Sequence, residues 1–282
     1  MAREKVNTIN RKVGYPSSPL AVDPLAIQAF YAPLRLTNSY PANVLATARL
    51  TVAQGFDNLG KPVDRGAFLS STTAVNAYYN PSLNEIVLLA GIQQFPIYDH
   101  RFPAYLLYGS MGAIAGHELT HGFDNTGRHY DPTGNFTVWW DEETIRQFRN
   151  RTTCFVDQYS RFTVKAPNGT DVRINGNRTL GENIADAGGV GTSFGAWRRW
   201  EKERNEEDQR LPGLDEFSNA QLFFLKWAQS WCSITPPDVA VGLIRTDVHS
   251  PAFARILGPL ANSRDFREAF NCPVKEPTCE LW

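Results

Sequence analysis

Apolar positions recur at helical spacing over most of this chain. Leu107, Met111, Ile114 and Ala115 lie on one helical face, no Pro interrupts Ala104 to Asp131, and Gly122 stands where the helix could end. Phe224, Trp227 and Trp231 mark one face of another helix, with Ser218 and Gln221 as its capping box. Asp23 to Tyr31, Ala42 to Gln54, Asp141 to Tyr159 and a stretch from Thr179 also read as helices. Residues 1 to 15 read as a short amphipathic helix ending at Gly14, with Pro16 beyond. Thr72 to Tyr79 is β-branched and aromatic; Asn80-Pro81-Ser82 and then Glu85 to Leu89 complete a predicted hairpin. Phe162 to Val172 predicts two short strands around Asn168-Gly169. Glu201 to Arg210 holds eight charged residues in ten, the mark of a solvated helix end or loop. These elements predict an α+β fold, mainly α, with a small sheet and no repeat or linker.

Composition narrows the classes. A chain of 282 residues, 42% hydrophobic, can bury a substantial core. A formal charge of −1 without Lys/Arg clusters predicts no nucleic-acid partner. No apolar run approaches the ~20 residues of a membrane span. The first twenty residues lack a signal-peptide core, so the chain is either cytosolic or without its targeting segment. Cys154, Cys232, Cys272 and Cys279 lack C-x-x-C spacing; their even number fits disulfides, and four buried thiols equally. Asn135, Asn150, Asn168 and Asn177 each begin an N-x-Thr glycosylation sequon, which leans toward a secretory route.

The chemistry concentrates in His117-Glu118-Leu119-Thr120-His121. Histidines four apart on a helix face the same way and suit one zinc ion, with Glu118 beside them to take a proton from a water. The plain alternative is two histidines on a solvated helix face. A zinc site needs a third protein ligand. His100, His129, His249 and many carboxylates are available; Glu182 is the best placed, with Asp186 one turn on to hold a ligand imidazole. Thr179 to Glu182 also fits a capping box, which would give Glu182 no metal role. Pattern alone leaves these even; the need for a third ligand favours Glu182.

With these residues in place, the chain resembles the catalytic region of the neprilysin and endothelin-converting-enzyme family of zinc metallopeptidases. The resemblance rests on Val75-Asn76-Ala77-Tyr78-Tyr79, Leu89-Ala90-Gly91-Ile92, Gly116 to Asp124, Leu180-Gly181-Glu182-Asn183-Ile184-Ala185-Asp186, Arg245 to Pro251, and Cys279-Glu280-Leu281-Trp282. It runs in order from about Thr72 to the C-terminus and implies a thermolysin-like zincin catalytic domain over 72–282, with 1–71 as the end of a helical preceding region. It implies one zinc held by His117, His121 and Glu182, with Glu118 as general base. Asp186 would orient His117, and His249, held by Asp247, would stabilise the oxyanion. Asn76 and Ala77 would pair with the substrate backbone, and Arg255 would grip a substrate carbonyl. Ile92, Ile114 and Trp231 would line a pocket for the residue after the cut bond, although core packing explains those three as well.

The resemblance further implies a Cys154–Cys279 disulfide, and it leaves Cys232 and Cys272 without partners, because the cysteines they match pair with a preceding portion of the family's longer enzymes. Those are type II membrane ectoenzymes, which sets the expected location at the cell surface or outside. The expected activity is endopeptidase cleavage of oligopeptides on the amino side of hydrophobic residues. A catalytically incompetent zinc- or peptide-binding fragment is the other reading. A zinc aminopeptidase is disfavoured, since Asn76-Ala77-Tyr78 stands where Gly-x-Met-x-Asn is expected.

Overall fold

A computed structural model describes residues 1–16, 22–204 and 209–281. Residues 205–208 of the charge-rich stretch, 17–21 ahead of the first long helices, and Trp282 lie outside the described residues. Helices dominate, as expected. Strands β1 (Asn10–Gly14), β2 (Ala77–Asn80) and β3 (Glu85–Leu89) form a sheet in the order β1-β3-β2, and β4 (Thr163–Lys165) pairs antiparallel with β5 (Asp171–Arg173). β2 and β3 make the predicted hairpin, Ala77 opposite Leu88.

The amino terminus departs from expectation. Its helix stops at Asn7, and residues 10–14 form β1, parallel to β3 in the register Asn10 to Glu85. The strand is stabilised by tertiary contacts rather than by apolar alternation. Lys12, its one buried residue, sits 2.8 Å from Glu85 Oε2 and donates to the Ala67 carbonyl. The helices Pro24–Tyr31 and Tyr40–Asp57 form as predicted but bury none of their residues against the described chain.

One long helix, Leu180–Arg204, organises the rest. Its Val190, Phe194 and Trp197 join Tyr105, Phe223, Phe224 and Trp227 in one core cluster, while Ile184 joins Phe148, Phe155, Tyr159 and Ile244 in another. The motif helix, Ala113–His121, lies directly against it. Glycines allow the approach: a Cβ on Gly189 would lie 2.7 Å from the Ala113 carbonyl, and one on Gly116 would lie 2.9 Å from the Gly189 carbonyl. With the backbones this close, side chains from the two helices meet end to end. The predicted helix from Ala104 widens into a π turn over Tyr108–Gly112, where Ser193 Oγ donates to the Tyr108 carbonyl. The Ser218–Gln221 capping box forms, and its helix ends at Ser230, leaving Trp231 as the C-cap. No described helix is long and apolar enough to cross a membrane.

Candidate metal centre

His117 and His121 occupy successive turns of the motif helix and bring their Nε2 atoms to 3.0 Å from each other. Glu182, in the first turn of the long helix, places Oε2 3.3 Å from His117 Nε2 and Oε1 3.6 Å from His121 Nε2. The three ligand atoms lie within 4.8 Å of one another. Of the other histidines weighed as a third ligand, His100 is exposed beside Asp99, and His129 stacks on Phe136.

The back of each ring is held by a carboxylate. Asp186 Oδ1 lies 2.9 Å from His117 Nδ1, and Asp124 Oδ2 lies 2.7 Å from His121 Nδ1. Both rings therefore donate from Nδ1, which leaves each Nε2 as the atom that faces Glu182 and takes up a cation, either a proton or a metal. Two lone pairs and an anionic oxygen facing one point repel unless a cation lies between them. Glu182 Oε2 is buried and accepts no hydrogen bond from the described residues. Two imidazole nitrogens and a carboxylate form the donor set zinc prefers at a catalytic site, so these residues fit that metal.

Electrostatics follow from the same contacts. Burial opposes a charge on His121, but Asp124 and Glu182 more than offset it and raise the pKa to about 10. His117 is raised likewise, burial being outweighed by Asp186 and Glu182. The Glu182 carboxyl is held far below the usual range, burial being overcome by the two histidines. Glu118 sits beside them without bonding to either ring; burial raises its pKa, against the pull of His117 and His121. A carboxylate raised this way is the better proton acceptor.

Asp186 is fully buried and also receives Arg255 as a two-pronged fork, Nε and Nη2 each at 2.8 Å. The Arg255 guanidinium stacks 3.7 Å over the Trp231 ring. Arg255 therefore supports the site from below, in addition to reaching the cleft. His249 is exposed at the rim; its Nδ1 meets Asp247 at 2.7 Å, and its Nε2 lies 3.3 Å from Glu182 Oε2.

These groups line one cleft of about 670 Å³. Asn76, Ala77, Ile92, Ile114, Trp231 and Arg255 line it together with His117, Glu118, His121, Glu182 and His249. Asp186 and Asp247 stand behind, each in contact with a histidine. Cys154 and Cys279 are bonded, with Cα atoms 5.7 Å apart, while Cys232 and Cys272 are free. Asp124 is a site residue that the sequence pattern does not single out; its place three residues after His121 is the available signal.

Residues 76–280 match the profile of peptidase family M13. The whole chain is 39% identical to an endothelin-converting enzyme homolog of Locusta migratoria and 40% identical to neprilysin-1 of Caenorhabditis elegans, covering 38% of each. It is 40% identical to endothelin-converting enzyme 1 of Rattus norvegicus, covering 36%. The chain thus spans less than two fifths of the length of these relatives. Its fold matches the zinc metalloprotease Zmp1 of Mycobacterium tuberculosis with a TM-score of 0.86 at 30% identity, over 99% of this chain and 41% of that one.

Proposed function

This chain belongs to peptidase family M13, and on that premise we propose that it is the catalytic region of a zinc-dependent endopeptidase that cuts oligopeptides before hydrophobic residues. The observation that carries the reading is the convergence of His117 Nε2, His121 Nε2 and Glu182 on one point, with both Nδ1 atoms already committed to carboxylates.

Zinc held there would acidify a water toward a pKa of about 7 and polarise the peptide carbonyl. Glu118 takes the proton and delivers it to the leaving amine. His249, steadied by Asp247, faces the carbonyl oxygen as charge develops on it. β2 is an edge strand, so the Asn76–Ala77 segment at its start offers backbone groups to an extended peptide. Arg255, stacked on Trp231 in the same cleft, reaches a substrate carbonyl. Ile92, Ile114 and Trp231 receive the apolar side chain that follows the cut bond, which accounts for the specificity. The sequon residues Asn135, Asn150, Asn168 and Asn177 are all exposed, which supports a secreted or cell-surface setting.

The short span relative to the relatives supports a second reading, in which this region binds zinc and peptide but cleaves only together with a further portion of chain. Metal analysis by mass spectrometry and cleavage of a quenched fluorescent peptide separate the two. The expected result is about one zinc per chain, retained in Glu118→Gln while turnover falls about 10²- to 10⁴-fold. Zinc without cleavage supports the second reading; absence of zinc ends both.

A further inference from the structure

Lys5 is a wholly buried cation outside the cleft. Its Nζ donates to the carbonyls of Gly122 at 2.7 Å, Gly127 at 2.8 Å and Tyr130 at 2.6 Å. An ammonium has three N–H groups, and each finds one carbonyl. Burial lowers the Lys5 pKa to about 8, with Asp124 and Asp131 pulling it back up, so the three donors are present at neutral pH.

The position of these carbonyls gives the contact its meaning. Gly122 is the C-cap of the motif helix, where carbonyls lack helical partners and the helix dipole favours a cation. Gly122 and Gly127 flank Asp124. Asp124 Oδ1 accepts the N–H groups of Thr126 and Gly127 at 2.7 Å each, while Oδ2 faces His121 Nδ1. Gly127 is packed so tightly that a Cβ would fall 1.8 Å from the His121 carbonyl. Residues 122–130 thus fold around two opposite charges: Lys5 gathers the carbonyls and Asp124 gathers the N–H groups.

We propose that Lys5 is a positioning residue for His121: its ammonium fixes the turn 122–130, and through Asp124 it fixes the proton and direction of the imidazole. The consequence for metal binding rests on the zinc reading above. Lys12 supplies a built-in comparison. It is a second buried lysine of the same amino-terminal segment, but its contacts are Glu85 and the Ala67 carbonyl, neither of them in the turn.

The test places Lys5→Met and Lys12→Met in the full chain. Three quantities are read: the zinc dissociation constant by chelator competition, the His121 Nδ1–H resonance in ¹⁵N-histidine protein, and the unfolding midpoint. Lys5→Met is expected to weaken zinc about tenfold or more and to shift or erase the resonance. Lys12→Met is expected to lower the midpoint and leave the other two unchanged. If Lys5→Met does not fold, Lys5→Arg and Lys12→Arg carry the same comparison. Arginine keeps the charge, but its planar fork cannot address three converging carbonyls, so a smaller loss of the same kind is expected. Zinc affinity and resonance that stay at parent values in the Lys5 variants, or move only as far as in the Lys12 variants, overturn the assignment. If the parent chain binds no zinc, the metal reading fails, and the resonance still decides the role of Lys5.

Discussion

Asp124→Asn is nearly isosteric, yet the structure predicts that it reverses a hydrogen bond behind His121, a proposed metal ligand. Asp124 Oδ1 is committed to two backbone N–H groups, those of Thr126 and Gly127, at 2.7 Å each. An asparagine must keep its oxygen there, because an amide nitrogen would meet two donors. Its Nδ2 is then forced to the place of Oδ2, 2.7 Å from His121 Nδ1 in the parent. Two N–H groups would face each other. When metal is to bind, relief requires His121 to keep its remaining proton on Nε2, which removes the lone pair a metal needs, or to rotate its ring away. Loss of a carboxylate that orients a histidine ligand typically weakens metal binding about 10- to 100-fold. Because asparagine inverts the contact rather than deleting it, the upper part of that range is expected, about 30- to 100-fold, or roughly 2–2.7 kcal/mol. Chelator competition at neutral pH measures it, and ¹⁵N-histidine spectra report the tautomer. An unchanged zinc constant, with the His121 proton still on Nδ1, would refute the reasoning.

Zinc binding should also release protons. His121 is raised from 6.5 to about 10 in the protein alone, so a proton is displaced when metal binds at neutral pH, and apparent affinity should climb with pH until about 10. The same shift has a stability sign: the contribution is full below the unfolded value of 6.5 and is lost as pH rises through about 10. Calorimetry in two buffers of different ionisation enthalpy should detect the released proton, and a release near zero would contradict it. Gly127→Ala sets a methyl against the His121 carbonyl and should destabilise the chain by about 1–3 kcal/mol in urea titration; an unchanged midpoint would show that the turn has slack. Replacing Cys154 and Cys279 by serine opens a loop of sequence separation 125 and should cost about 3–5 kcal/mol. The zinc constant should not follow, because Cys279 packs in the core cluster of Phe155 and Tyr159 rather than at the cleft.

The parts that were legible in the sequence are those whose signal is local. His117 and His121 share one helix, so their spacing alone brings them to one face. Glu182 and Asp186 lie one turn apart, and the need for a third ligand favours Glu182 once the first helix is seen to fall short, with Asp186 placed to hold an imidazole. The helix of Phe224 and Trp227 announces itself by its apolar face and capping box, both borne out. β1 was missed because its buried residue is a lysine, a type ordinarily read as solvated, and because its partner strand is remote: Asn10 pairs with Glu85. Asp124 was overlooked because its reach to His121 depends on a turn that folds back only where Gly127 can touch the helix end.

Lys5 is the harder case, and it shows where pattern reading stops. A buried carboxylate or histidine implies a complementary side chain, and side chains differ along the sequence, so a partner can be sought. The partners of Lys5 are three backbone carbonyls, which every residue carries. No composition or spacing distinguishes Gly122, Gly127 and Tyr130 from any other carbonyls; only the turn that aims them together does. That turn is in part the product of the lysine it surrounds. Cation and turn therefore define each other, and neither can be read without the other in place.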